Sequence, residues 1–207
     1  MSAGERLPLS VAEGAAGYLL NAWGVAEKDA TVVGSVRRGR QDVGDLEICM
    51  PLERPDRDEM YKTIHASATQ EGGLFEAPAD VPPITVVQGL RPGFKQARLI
   101  VHISYEGRPI ALPVEIYRFE AGARAWSIIM RTGPRDFGMF FLRRWKAAYS
   151  IPASQVASSE GMLVDRYGKP VPISGEREAF DRAGIGWVDP LERDRFAATI
   201  AEGRAAV

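Results

Sequence analysis

Asp45 and Glu47 are two carboxylates one residue apart, and they lie a dozen residues downstream of a Gly-Ser step and a pair of arginines. All of these fall in one stretch, Thr31–Met50, which reads TVVGSVRRGRQDVGDLEICM. On a strand, successive side chains point to opposite faces, so Leu46 and Ile48 can enter a core while Asp45 and Glu47 stand together on the other side. Two carboxylates held that close repel one another unless a cation lies between them. Upstream, Gly34-Ser35 supplies a flexible backbone and a hydroxyl, and Arg37 and Arg38 supply guanidinium forks suited to phosphate oxygens. The chemistry these residue types support together is the handling of a metal-bound polyphosphate. Taken singly, Gly-Ser is an ordinary turn and Asp-x-Glu a solvated strand face; their conjunction carries the reading.

These residues need a scaffold, and the chain supplies one in order. Ser10 and Glu13 have the spacing of a capping box, and Val11, Ala15, Tyr18, Leu19 and Ala22 trace one face of a helix of about fourteen residues. Thr31–Val33 is then a strand. Beyond Pro51–Pro55, Asp56 is placed to cap a helix over Arg57–Glu71, followed by a loop-rich Leu74–Pro83 and a short strand at Ile84–Gly89. Leu99–Tyr105 and Ile110–Phe119 are predicted to form an antiparallel pair around the turn Glu106-Gly107-Arg108-Pro109. In the returning strand Glu115 alternates with Val114 and Ile116, so it can share the polar face of Asp45 and Glu47.

The stretch Gly34–Glu47 resembles the signature of the nucleotidyltransferase superfamily: Gly-Ser, a spacer, then two carboxylates one residue apart. The closer form, Gly-Ser-x-Arg-Arg-Gly followed by Val43-Gly44-Asp45-Leu46-Glu47-Ile48, is similar to the family X DNA polymerases of the polymerase beta type. Glu47 stands where that family usually has Asp. Val114-Glu115-Ile116 resembles the third acidic position, again with Glu for Asp. Thr132-Gly133, within Trp126–Arg135 (WSIIMRTGPR), resembles the segment that contacts the incoming nucleotide. Met130 and Arg131 replace the usual aromatics there, which implies weaker discrimination against ribonucleotides. The resemblance continues in weaker form through a helix over Asp136–Tyr149, a hairpin pairing Gly161–Val164 with Lys169–Ile173, a helix from Ser174 to Ala183, and Trp187–Asp194.

The resemblance implies an α+β fold: a nucleotidyltransferase palm with a mixed sheet and flanking helices over residues 1–133, then a small α+β thumb over residues 134–207. Asp45, Glu47 and Glu115 would hold two Mg²⁺ ions, with Mn²⁺ as a substitute, and act as the catalytic residues. Gly34, Ser35, Arg38, Gly44, Thr132 and Gly133 would bind the nucleoside triphosphate. In the predicted 136–149 helix, Phe137, Phe140, Phe141, Trp145 and Ala148 have core spacing, while Arg143, Arg144 and Lys146 form either a solvated face or a contact to a DNA primer-template.

Composition sets outer bounds. The 207 residues carry a net charge of −1, so any DNA binding has to come from local patches. The single cysteine, Cys49, rules out an internal disulfide framework. No apolar run reaches the about 18 residues of a membrane span, and Met1–Pro8 has no signal-like apolar region, so a monomeric cytoplasmic protein without membrane association is expected. About thirty residues precede the motif, which suggests a minimal palm and thumb. His65 and His102 have no partner at metal-binding spacing and are expected to be structural. Two further readings stay open: a nucleotidyltransferase acting on an RNA end, a protein or a small molecule, and a binding module without catalysis.

Overall fold

The computed structural model describes residues 6–51, 84–92, 96–159 and 161–203. It is an α+β protein that separates into two compact units, Met1–Arg118 and Phe119–Val207. The expected helix over Arg57–Glu71, the loop Leu74–Pro83 and His65 lie outside the described residues. Among the described residues no helix is long and apolar enough to cross a membrane.

The first unit is built on a five-stranded sheet. Its strands are β2 (Thr31–Val32), β4 (Leu46–Pro51), β5 (Ile84–Pro92), β6 (Gln96–Tyr105) and β7 (Arg108–Phe119), in the order β2-β4-β7-β6-β5. Alternation decides which faces are buried. Leu46 and Ile48 on β4, Leu99, Val101 and Ile103 on β6, and Leu112, Val114 and Ile116 on β7 are buried and join one apolar core. Between β6 and β7 the turn residues Glu106 and Gly107 both have positive φ, 51° and 74°, as a type I′ hairpin turn requires. The expected short strand at Ile84–Gly89 extends to Pro92. As an edge strand with two register shifts against β6, β5 can absorb Gly89 and Pro92, which a regular central strand would not.

Helix α1 (Leu9–Ala22) packs Leu19 and Leu20 into the same core. Its length matches the sequence reading, but its start does not. Pro8 is the N-cap, no side chain caps the helix, and Ser10 lies inside the first turn. The cause is a short pairing upstream: β1 (Leu7–Pro8) is antiparallel to β3 (Asp42–Val43), and this ladder delivers the chain to the helix already placed. A missing Ser cap costs about 1 kcal/mol, whereas burying one leucine contributes about 1.5–3. Packing therefore sets the boundary.

The second unit contains α3 (Arg124–Thr132), α4 (Arg135–Ala148), the short ladder of β8 (Ser158–Ser159) with β9 (Met162–Leu163), α5 (Glu176–Arg182) and α6 (Arg193–Ala201). Phe137, Phe141 and Trp145 on α4 are fully buried and stack with Trp126, Phe180 and Tyr149. Ala148 of the same predicted stripe is exposed, because the helix ends there and the following turn faces solvent. The expected hairpin around Tyr167-Gly168 forms as a short antiparallel bridge of Val164 with Pro170, flanked by bonds from Asp165 N–H to the Lys169 carbonyl and from Val171 N–H to the Leu163 carbonyl, both at 2.9 Å. Arg193 is buried with its guanidinium bonded to Glu176 Oε1 at 3.0 Å and to the Val188 carbonyl at 3.3 Å. It also lies 4.9 Å from the Phe137 ring centroid and 5.4 Å from that of Phe180.

Ser174 precedes the N-cap residue Gly175 of α5, one residue before the position expected for a cap. It acts from there: its N–H and Oγ–H both donate to Glu178 Oε2, at 2.7 and 2.6 Å. These two bonds, with help from Arg182, hold the Glu178 carboxyl down at about 2. A carboxylate whose pKa is depressed on folding stabilises the fold above its unfolded value and loses that contribution as pH falls through the folded one. Ser174→Ala should move the Glu178 titration back toward the ordinary carboxylate range and shift the onset of acid destabilisation to higher pH. NMR titration of Glu178 together with acid unfolding of both proteins checks this; an unmoved titration would refute the role of Ser174.

Candidate active site

The Gly-Ser step follows β2 directly. Val33 N–H donates to the Glu47 carbonyl at 2.8 Å, continuing the β2–β4 ladder, and the chain then turns into the one-turn helix α2 (Gly34–Arg37) rather than an open loop. Gly34 has φ +65°, a conformation that side chains with a Cβ rarely adopt. It is also where the Glu47 side chain rests. A Cβ on residue 34 would lie 2.9 Å from Glu47 Cδ and 3.3 Å from Glu47 Cβ, and would collide with Oε2. The glycine is therefore needed twice, once for its backbone and once for the carboxylate pressed against it.

Asp45 immediately precedes β4, and both it and Glu47 are half-buried while Leu46 and Ile48 are fully buried, as the alternation predicts. Glu115 lies on β7, the hydrogen-bonded neighbour of β4. Burial first, and the negative charge of Glu115 second, push the Asp45 carboxyl above its usual range. Arg6, Arg98 and Arg38 act in the opposite direction. Glu115 accepts hydrogen bonds from Tyr117 Oη and, at 3.3 Å, from Gln96 Nε2, and pairs with Arg98 Nε at 3.6 Å. The β6–β7 register explains this set, since Arg98 is directly opposite Glu115 and Gln96 opposite Tyr117.

Of the sequence-predicted acids, then, Asp45 and Glu115 interact electrostatically, while Glu47 leans on Gly34. Among the described residues no group of three His, Cys, Asp or Glu side chains stands ready-made as a metal cage. The donors themselves suit a hard cation such as Mg²⁺: all are carboxylate oxygens, and a divalent ion would favour the charged form of Asp45 against both its burial and the charge of Glu115. Ser35 Oγ is buried with no hydrogen-bond partner among the described residues, a state uncommon in folded proteins and one that a phosphate oxygen would resolve. Arg38 is half-buried in the same unit.

Thr132 and Gly133 end α3 in the second unit, with Thr132 fully buried and Gly133 at φ 62°. Met130 packs on the next helix, where a Cβ at Gly138 would meet its Sδ at 3.0 Å, and Arg131 is exposed. The three basic residues of α4 separate. Arg144 donates to the Gly184 carbonyl at 3.1 Å and Lys146 to that of Ala153 at 3.0 Å, whereas Arg143 is exposed. His102 is half-buried on β6, opposite Ala111.

Two residues beside the acids carry no local motif. Arg98 comes in through strand register. Arg6 comes in through β1: Leu7 pairs with Val43, which brings Arg6 level with Gly44, and its Cζ lies 3.9 Å from where a Cβ of Gly44 would be.

Gly34→Ala should destabilise the protein by about 1–3 kcal/mol from backbone strain alone and should also displace the Glu47 carboxylate. Chemical unfolding reads the first effect, and loss of metal-dependent activity reads the second. An alanine variant with unchanged stability would mean that the positive φ is not required.

No known protein family and no curated protein matches the chain, so its sequence and the geometry above are what bear on its function.

Proposed function

We propose that the chain is a metal-dependent nucleotidyltransferase of the family X DNA polymerase type, which adds deoxynucleotides to a 3′-hydroxyl and releases pyrophosphate. The observation that carries this reading is the half-buried Asp45, raised by its own burial and by the charge of Glu115 on the neighbouring strand. Folded proteins seldom keep like charges together without a use for them. Asp45, Glu47 and Glu115 would hold Mg²⁺, and such ions supply neutralisation of charge on the attacking and leaving oxygens.

The protein's own groups have distinct tasks in this reading. Ser35 Oγ donates to a phosphate oxygen, and Arg38 draws the triphosphate toward the acids and offsets charge on the departing pyrophosphate. The backbone at Gly44 allows a close approach. The acceptor hydroxyl oxygen bonds to the α-phosphorus as the bond to the bridging oxygen breaks. Glu115 takes the hydroxyl proton, held in place for it by Tyr117, Gln96 and Arg98.

A second reading keeps the reaction and changes the acceptor to an RNA end, a protein or a small molecule. It is favoured by the α4 cations, because Arg144 and Lys146 are engaged with backbone carbonyls and only Arg143 of the three is exposed. Extension of DNA and RNA primers, with and without template and with no acceptor added, separates the two readings.

Asp45→Asn should abolish transfer under every acceptor condition. Because it removes a repelling charge, its thermal midpoint without metal should equal or exceed that of the wild type. Mg²⁺ should raise the wild-type midpoint and leave the variant's in place. A variant that retains near-wild-type transfer would eliminate the proposal.

A further inference from the structure

The chain before the first helix brings a cation to the acidic site. Arg6 precedes β1, and the antiparallel pairing of Leu7 with Val43 and Pro8 with Asp42 carries it across to the segment that leads into Asp45. There its guanidinium lies over the Gly44 backbone, with Cζ 3.9 Å and Nη1 4.0 Å from the position of a Gly44 Cβ. Its bonds among the described residues go to Asp42, at 3.2 Å to Oδ2 and 3.5 Å to the carbonyl oxygen. Both partners are largely exposed, at 59% and 64% of their side chains.

An exposed ion pair of this kind contributes little to stability, about 0–1 kcal/mol, so it gives a weak reason to station an arginine here. The surroundings give a stronger one. Gly44 has no side chain to keep a ligand from its backbone, and a guanidinium directly above it has donors to spare, since Arg carries five N–H groups and the pair with Asp42 engages one nitrogen. Arginine is also the side chain whose planar fork matches phosphate oxygens.

We propose that Arg6 is a phosphate-binding residue of the nucleotide site, stored on Asp42 in the free protein and transferred to the triphosphate when nucleotide binds over Gly44. This rests on the nucleotidyltransferase reading and adds to it a residue outside the Gly-Ser and acidic motifs. Asp42 is the holding partner, competing with the ligand for the same guanidinium. Removing Arg6 should therefore weaken binding while removing Asp42 does not, a difference that a merely structural ion pair would not produce.

The test is equilibrium binding of dATP with Mg²⁺ to the full chain without any acceptor, alongside thermal midpoints. Arg6→Gln should weaken dATP binding about tenfold or more, and Arg6→Lys should recover part of the loss. Asp42→Asn, which breaks the same ion pair, should leave binding unchanged or tighten it. Equal weakening by Arg6→Gln and Asp42→Asn would overturn the proposal in favour of a structural pair. Unchanged binding in Arg6→Gln, with loss in Ser35→Ala, would overturn it while the nucleotide site stands. A wild-type chain that binds no dATP would remove both.

Discussion

The first unit is organised around a carboxylate held partly out of water. Asp45, just ahead of β4, is half taken out of water, and it also feels the like charge of Glu115 on the neighbouring β7. Apolar burial on the opposite face offsets the cost: Leu46 and Ile48 on β4, and Leu112, Val114 and Ile116 on β7, are buried. The apolar face thus holds the polar face together. The cations Arg6, Arg98 and Arg38 pull the other way, and Asp45 stays raised, first through burial and second through the charge of Glu115.

Much of this was legible in the sequence, for one physical reason. A strand with a single buried face must alternate, so Leu46-Glu47-Ile48 and Val114-Glu115-Ile116 reveal which side the acids occupy before any coordinates exist. The place of the turn was legible from its residue types, but Glu106-Gly107-Arg108-Pro109 was two residues too long, since Arg108 and Pro109 already pair with Tyr105 and Ser104. What escaped were contacts made across long separations. Arg6 meets Asp42 over 36 residues through a two-residue ladder too short to leave a pattern, and Arg98 reaches Glu115 by register alone. The helix Arg124–Thr132 was not legible either, since it is only nine residues long and lies within the segment that resembles a nucleotide contact. The Ser10 cap failed because a cap is a local preference that tertiary packing can override.

The second unit solves a different problem. Its helices are short, so isolated helix formation would be marginal, and an aromatic cluster compensates. Phe137, Phe141, Trp145 and Phe180 interlock, and Arg193 lies among them with its charge met by Glu176 and spread over ring faces. Charged residues on α4 serve the same economy of loops: Arg144 and Lys146 tie the carbonyls of Gly184 and Ala153 to the helix. Basic residues between aromatic positions can therefore be fasteners for irregular chain, and sequence spacing alone does not distinguish a fastener from a ligand contact.

The two-residue turn at Glu106-Gly107 fixes more than a corner. Each pair along β6 and β7 inherits its partner from that turn, so Arg98 faces Glu115 and Gln96 faces Tyr117 only while the loop length is kept. Side chains change face with every residue of slip. The hairpin consequently counts in parity: an insertion of two residues at its tip lengthens the arm and leaves both inner pairings intact, while an insertion of one that is propagated down a strand moves either the acid or its arginine to the opposite face. The tip of this arm, though exposed and far along the strands from Glu115, is in effect a ruler for the site, and natural variation in its length should come in even steps.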